Sequence, residues 1–405
     1  MFFSRRCSLP LRPLGVRAYR ASVVVALGLV GALAGRAEAQ RHTVRPLPPE
    51  HFLDSSLLAP VWREVGRGPA RLLSAATSAS GAYVATLDTT GMITVWDARR
   101  GGVLRRFPTT PRILRSSHHA GPPLAFSRPP REHLLATGAD DGYVRVWYWR
   151  TGEQIWTIDQ CHGGKVRRRH GRDVMLATDI TVQDVEFIPV GWMGGNDLLA
   201  SACSDGQILL SANGDTLNSL WPVDAVGEPL SVSRIAFSPD GNALLAATPK
   251  GAVLFSVASG EQLHSFAHSP TVSFVPDWRQ AHLDSMAHAL AFSATRGLVA
   301  TSSMGGTIRV WSLATRELVR VLHPADGSPT SALTFNPDGR LLAAGTGGMG
   351  VSLWCVADGQ QLAFYPASFG PAESLWFTHD GRTLVIRGMF EPNLRRQRVR
   401  TALPC

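Results

Sequence analysis

Short apolar runs bounded by turn residues recur along most of the chain, the pattern of many strands in succession. Six of these runs close on a phenylalanine: Phe126, Phe187, Phe237, Phe292, Phe335 and Phe377. After Phe237, Phe335 and Phe377 come Ser-Pro-Asp-Gly, Asn-Pro-Asp-Gly and Thr-His-Asp-Gly, and the first two place Pro and Gly as a type I turn prefers. A second apolar run follows, as in Leu134 to Thr137, Leu198 to Ser201, Leu298 to Thr301 and Leu341 to Ala344. A Gly-rich turn leads to a third (Met92 to Trp96, Tyr143 to Trp147, Thr307 to Trp311, Val351 to Trp354), and runs such as Gly260-Glu261-Gln262-Leu263 close the unit.

The anchoring phenylalanines lie 61, 50, 55, 43 and 42 residues apart. A four-strand unit of about 40 residues with insertions has the period of a propeller blade. A degenerate first copy, with Thr77 at the Phe position, brings the number to seven. The expected fold is all-β: a seven-bladed β-propeller of four-stranded blades spanning 71–390, preceded by a signal peptide (1–39) and an N-terminal segment (40–70). Residues 391–405 form a basic tail or last strand.

These residues resemble the WD-repeat β-propeller family. Val95-Trp96-Asp97 carries its Trp-Asp dipeptide, and its buried polar set is best matched in blade 2, by His118 or His119, Thr137, Asp141 and Trp147. A buried indole N–H needs such a partner. The sequence departs from the pattern at Ser211 and Ser256 (Trp position, blades 3 and 4) and at Thr90, Gly305 and Gly348 (Asp position, blades 1, 5 and 6). The resemblance implies a scaffold that binds other proteins. It also implies a structural role for His162, His268 and His323, each following a closing strand.

Residues 1–37 contain no acid and six Arg, five of them before an apolar run from Ala21 to Gly35; Arg36 ends the run and Ala37-Glu38-Ala39 follows. This is the pattern of a secretory signal cleaved after Ala39. The run is shorter than the roughly 20 apolar residues that span a bilayer, so no spanning segment is expected unless the leader is retained as an anchor. Ser4-Arg5-Arg6 hints at twin-arginine export, and an organellar presequence is the further alternative. The expected location is exported, periplasmic or extracellular.

Removing the leader changes the charge argument. It holds six of the 40 basic residues and one of the 31 acids, leaving 34 against 30, so the mature chain is near neutral and nucleic acid is not an expected partner. Cys161, Cys203, Cys355 and Cys405 remain. No pair has metal-ligand spacing, Cys203 and Cys355 read as small buried apolar groups, and whether Cys161 pairs with Cys405 stays open.

Blade strands alternate in direction, so the connection between blades lies on the same face as the loop between a blade's second and third strands. Four such connections are long: roughly 108–122, 159–181, 221–232 and 267–287. Insertions concentrated on one face mark a binding surface in repeat proteins. The second carries Arg167, Arg168, Arg169 and His170, with His162, Lys165 and Arg172. Its basic face suits phosphate, an acidic glycan or an acidic protein, unless it is a solvated loop. The fourth carries Trp278, Arg279 and His282, residue types favoured at protein contacts, unless Trp278 packs over the rim.

Searches for a nucleophile elbow, a zinc-binding His pair, a phosphate loop or a Cys-x-x-Cys unit find none in the sequence. No catalytic residue, metal or cofactor is assigned. The expected function is a monomeric, non-enzymatic scaffold binding proteins through the inserted loops. The alternative is an enzyme or small-ligand binder using the central channel. The seventh blade lacks an evident fourth strand, and the segment from Val44 to Val65 is expected to return and supply it.

Overall fold

In most repeats the second and third strands are dominated by small and branched apolar residues, which suits strands covered on both faces. Leu198–Cys203, Ala243–Thr248, Leu341–Thr346 and Gly350–Cys355 are buried at every position. Outer strands such as Val103–Pro108 and Leu318–Leu322 are mostly exposed. Stacking sheets face to face around an axis satisfies both patterns.

A computed structural model of the chain describes Ala70, residues 72–399 and Cys405, except for 99, 110–122, 129–131, 140, 160–166, 170–171, 175–180, 190–196, 269–285, 325–327, 348–349, 367–369, 379 and 389–393. Blade 1 is β1–β4 (Leu72–Thr77, Tyr83–Asp88, Met92–Asp97, Val103–Pro108) and blade 2 is β5–β8 (Leu124–Phe126, Leu134–Gly138, Tyr143–Tyr148, Glu153–Asp159). A separate hairpin, β9 (Arg167–Arg169) and β10 (Arg172–Val174), precedes blade 3, β11–β14 (Val182–Phe187, Leu198–Cys203, Ile208–Ala212, Asp215–Leu220). Blade 4 is β15–β18 (Arg234–Phe237, Ala243–Thr248, Gly251–Ser256, Gln262–Ala267) and blade 5 is β19–β22 (Ala287–Phe292, Leu298–Ser303, Ile308–Ser312, Leu318–Leu322). Blade 6 is β23–β26 (Thr330–Phe335, Leu341–Thr346, Gly350–Cys355, Gln361–Pro366), and blade 7 is β27–β29 (Ala372–Phe377, Thr383–Gly388, Leu394–Arg398). Every sheet is an antiparallel meander in chain order, as a propeller blade requires.

The core lies between blades. Seven buried apolar clusters each join one adjacent pair: Phe107 with Trp147, Val146 with Phe187, Leu210 with Phe237, Phe266 with Trp311, Val310 with Phe335, and Leu353 with Leu384. The seventh, Val84 and Trp96 with Val385, joins blade 7 to blade 1. Arg387 strengthens this last junction, pairing with Glu373 at 2.6 Å while its Nη1 donates to the Leu73 carbonyl at 3.0 Å. The ring is therefore closed by side-chain packing. Blade 7 has three strands among the described residues, and the segment from Val44 to Val65 lies outside them.

The cysteines behave differently from the sequence reading. Cys355, buried in β25, is disulfide-bonded to Cys405, which excludes pairing of Cys405 with Cys161. Cys203 is also disulfide-bonded, to a partner outside the described residues. Burial was legible for both strand cysteines, but pairing was not: Cys355 and Cys405 are 50 residues apart in sequence and meet only because blades 6 and 7 are neighbours.

Candidate interaction surface

The insertion of residues 221–233 is described throughout, on the face predicted to carry the long loops. It folds back on itself through a bridge between Val223 and Pro229, and Leu230 N donates to the Pro222 carbonyl at 2.8 Å. Asp224 turns its tip, accepting from the backbone N–H groups of Val226 (3.0 Å) and Glu228 (2.9 Å) through Oδ1, while Oδ2 pairs with Lys250 at 2.5 Å. Those partners, Lys250 first, hold the Asp224 carboxyl below its usual range. Gln262 of β18 grips both backbone groups of Val223 at 3.1 Å. The result is a braced projection whose apolar tip, Val226, is 81 % exposed.

This projection leans on the neighbouring loop at Gly206, which has a φ of +102°. A Cβ there would sit 2.1 Å from the Leu230 carbonyl oxygen. Gly206→Ala is expected to cost about 2 kcal/mol from strain and displacement of the projection, read as a lower urea midpoint. An unchanged midpoint would show that the projection is not seated there.

The basic run of the second insertion forms part of a hairpin rather than a loop. Arg169 pairs with Arg172, Arg168 with Asp173 and Arg167 with Val174. His170, Trp278, Arg279 and His282 lie outside the described residues, as do His118, His119 and His162.

Within blade 2, Trp147 Nε1 donates to Thr137 Oγ1 at 3.1 Å, and Asp141 accepts from both terminal nitrogens of Arg145 (3.1 and 2.6 Å) and from Tyr143 N (3.2 Å). The Trp–Thr pair recurs in blade 1 (Trp96 to Thr86, 3.0 Å) and blade 5 (Trp311 to Thr301, 2.9 Å), and in blade 6 Ser352 takes the indole N–H of Trp354 at 2.8 Å. In blade 5 the pair is joined by a histidine that follows β18, the closing strand of blade 4. His268 Nε2 lies 2.7 Å from Thr301 Oγ1, and burial, aided by the Arg309 charge, lowers its pKa to about 3. A neutral ring lets Thr301 donate to Nε2 while accepting from Trp311, an assignment taken from the network. His268 thus has the structural role expected of it, whereas His323 is exposed.

Near the axis, Asp184 and Glu186 of β11 cap backbone N–H groups of β15, the inner strand of the next blade: Asp184 Oδ2 accepts from Ile235 N (3.0 Å) and Glu186 Oε2 from Phe237 N (2.8 Å). Arg128 of blade 2 reaches Glu186 Oε1 at 3.1 Å, and Arg234 faces Asp184. Burial dominates both carboxyls, raising Asp184 and pushing Glu186 up to about 7 despite the Arg128 charge. Ser331 plays a similar role between blades 6 and 7, donating to the Ala372 carbonyl at 2.7 Å, and His288 Nδ1 lies 3.2 Å from the Thr330 carbonyl. These side chains satisfy inner-strand amide and carbonyl groups that have no further strand to pair with. Sequence reasoning missed them; the available signal was a pair of carboxylates at alternate positions of one strand, Asp184 and Glu186.

On the opposite face, a cavity of about 240 Å³ separates the first turns of blades 6 and 7, where Arg340 and Arg382 are balanced by Asp338 and Asp380. Among the described residues no group of three or more His, Cys, Asp or Glu is arranged to hold a metal ion.

Two family models match the chain. The model of the anaphase-promoting complex subunit 4 WD40 domain covers residues 190–281, and that of the WD domain, G-beta repeat, covers 112–148 and 260–312. Among curated proteins, the chain is 29 % identical over 171 residues to human WD repeat-containing protein 90, covering 41 % of this chain and 9 % of the relative. It is 25 % identical over 273 residues to periodic tryptophan protein 2 of Arabidopsis thaliana, covering 66 % of this chain and 25 % of the relative. With ribosome biogenesis protein erb1 of Pyrenophora tritici-repentis the identity is 24 % over 272 residues, 60 % of this chain and 33 % of the relative. The chain therefore spans no more than a third of the length of these three relatives.

Proposed function

Because the chain belongs to the WD-repeat β-propeller family, we propose that it is a non-enzymatic scaffold that binds other proteins through the insertions on one face of the ring. The braced projection at 221–233 carries this reading. It is held by Asp224–Lys250 and by Gln262, yet its apolar tip covers nothing of its own fold. A rigid surface that offers an apolar contact forfeits little entropy on binding. A relative named for ribosome biogenesis, and a family model named for a subunit of the anaphase-promoting complex, support assembly with proteins as the general role.

The same reading places the protein outside the reducing cytosol. The disulfide of Cys355 with Cys405, and that of Cys203, suit an oxidising compartment, in keeping with the signal-like leader. Among the described residues no helix is long and apolar enough to cross a membrane.

The test is purification of C-terminally tagged protein from its native host, beside a form in which the projection at 223–229 is shortened to a Gly-Ser linker. The expected result is a stoichiometric protein partner lost from the shortened form, and a mature N-terminus at Gln40. A partner retained moves the contact off the projection, no partner at all shifts the reading to a ligand-binding channel, and an intact leader overturns cleavage.

A further inference from the structure

We propose that the cavity between the first turns of blades 6 and 7 is a binding site for a small zwitterion of dipeptide type with one aliphatic side chain. It lies on the face opposite the insertions and does not depend on the scaffold reading.

One tripeptide, used twice, builds the charged part of the site. Asp-Gly-Arg occurs at 338–340 and 380–382 and nowhere else in the chain, and the blade order makes these two turns neighbours. A Cβ on Gly381 would sit 3.2 Å from Pro337 Cδ, so the turns pack closely. Asp338 Oδ1 accepts from Arg340 N at 2.8 Å, and Asp380 Oδ1 accepts from Arg382 N at 3.0 Å and from Thr378 Oγ1 at 2.6 Å. One oxygen of each carboxylate thus shapes its turn, and the other takes no hydrogen bond from another described residue. Neither Arg340 nor Arg382 makes an ion pair among the described residues. Two guanidinium and two carboxylate groups therefore line one cavity of about 240 Å³ without pairing with one another.

Asn336 adds an enclosed donor. Its side chain lines the cavity and the residue is only 7 % exposed. Oδ1 accepts from Leu341 N at 2.8 Å, while Nδ2 makes no hydrogen bond among the described residues. A buried amide donor without a partner calls for one.

The lining groups select the ligand. Their charges sum to zero, so a dianion would meet Asp338 and Asp380 and a dication would meet the arginines. A ligand with one carboxylate and one ammonium satisfies both signs, its carboxylate held by the planar fork of an arginine. Asn336 Nδ2 then donates to a carbonyl between the two charges, which is the order of groups in a dipeptide. Leu341, Val399 and Cys405, members of the apolar cluster of blades 6 and 7, supply a wall for one aliphatic side chain. The volume is below the roughly 300 Å³ at which pockets for drug-sized ligands begin, which keeps the ligand small. The walls are set before binding: Arg296 Nε donates to the Asp338 carbonyl at 3.2 Å, and the Cys355–Cys405 disulfide ties the chain beyond β29 to blade 6.

The experiment is calorimetric titration of the purified protein with glycyl-leucine, which is expected to fill one site. Arg340→Gln and Arg382→Gln are each expected to weaken binding about tenfold. Asn336→Asp keeps the acceptor for Leu341 N and deletes the donor, and a loss of about tenfold is expected there too. Acetyl-glycyl-leucine and glycyl-leucinamide, each lacking one charge, should bind about tenfold more weakly than the parent peptide. No heat at about 10 mM glycyl-leucine overturns the site. Succinate or phosphate binding as tightly as the dipeptide overturns the zwitterion assignment. Wild-type affinity in both arginine variants places the ligand elsewhere and overturns the proposal as well. Ligand-free melting curves accompany each variant; both arginines are exposed, so their variants test the site even where Asn336→Asp lowers the melting point.

Discussion

Replacing Cys405 with serine is expected to lower the unfolding free energy by about 4 kcal/mol, the loop-closure entropy of a disulfide spanning some 50 residues. The bond ties the chain beyond β29 to β25, and Cys405 packs against the apolar cluster shared by blades 6 and 7. Blade 7 has the fewest strands of any blade among the described residues, so its third strand depends most on an anchor outside its own sheet. The variant should melt several degrees lower under oxidising conditions. Adding reductant to the wild type should lower its midpoint at least as far, because the Cys203 disulfide is then opened too. A variant that melts with the wild type would mean that blade 7 is held by packing alone. Cys405→Ser is the cleaner choice, since serine at the fully enclosed Cys355 would add a buried hydroxyl to the effect being measured.

How far the fold was legible follows from what sets each feature. Phenylalanine spacing and Asp-Gly turns are local, and they gave seven repeats whose strands fall where the apolar runs end, as at Phe237, Phe335 and Phe377. Departures from the Trp position were visible as Ser211 and Ser256, but not their consequence. Blades 3 and 4 replace the indole network with an aliphatic interface of Leu198, Leu210, Leu244 and Val253, which no single repeat displays. In blade 1, Thr90 at the Asp position does not leave the turn uncapped, because Asp88 accepts from the backbone N–H groups of Thr90 and Met92. Features made between blades were the hidden ones: the Cys355–Cys405 bond, Arg387 across the closure, and the carboxylates of β11. Each depends on which strands are neighbours around the ring, and a repeat pattern reports the unit before the neighbour.

Those carboxylates give the protein an unusual pH response. Glu186 titrates near 4.5 when unfolded and about 7 when folded, a difference worth about 3 kcal/mol at roughly 1.4 kcal/mol per unit. Its raised folded value means the native state holds a proton that the unfolded state has lost. Glu186 therefore contributes stability that is fully present below pH 4.5 and is lost as pH rises through 7. Asp184 acts in the same direction. His268 acts oppositely: its value falls from 6.5 to about 3 on folding, so its contribution is complete above pH 6.5 and is lost on acidification. The two nearly cancel between pH 4.5 and 6.5, and the wild-type profile alone is a poor probe. Glu186→Gln isolates the carboxyl, because glutamine resembles the protonated acid. At pH 4 the variant should match the wild type in urea unfolding, and by pH 8 it should be the more stable by up to about 3 kcal/mol. That figure is a ceiling, since the Glu186 side chain is 22 % exposed and Arg128, 32 % exposed, offsets part of the burial. A constant difference from pH 4 to 8 would show that Glu186 stays ionised throughout. The Phe237 amide would then be capped by a carboxylate at every pH.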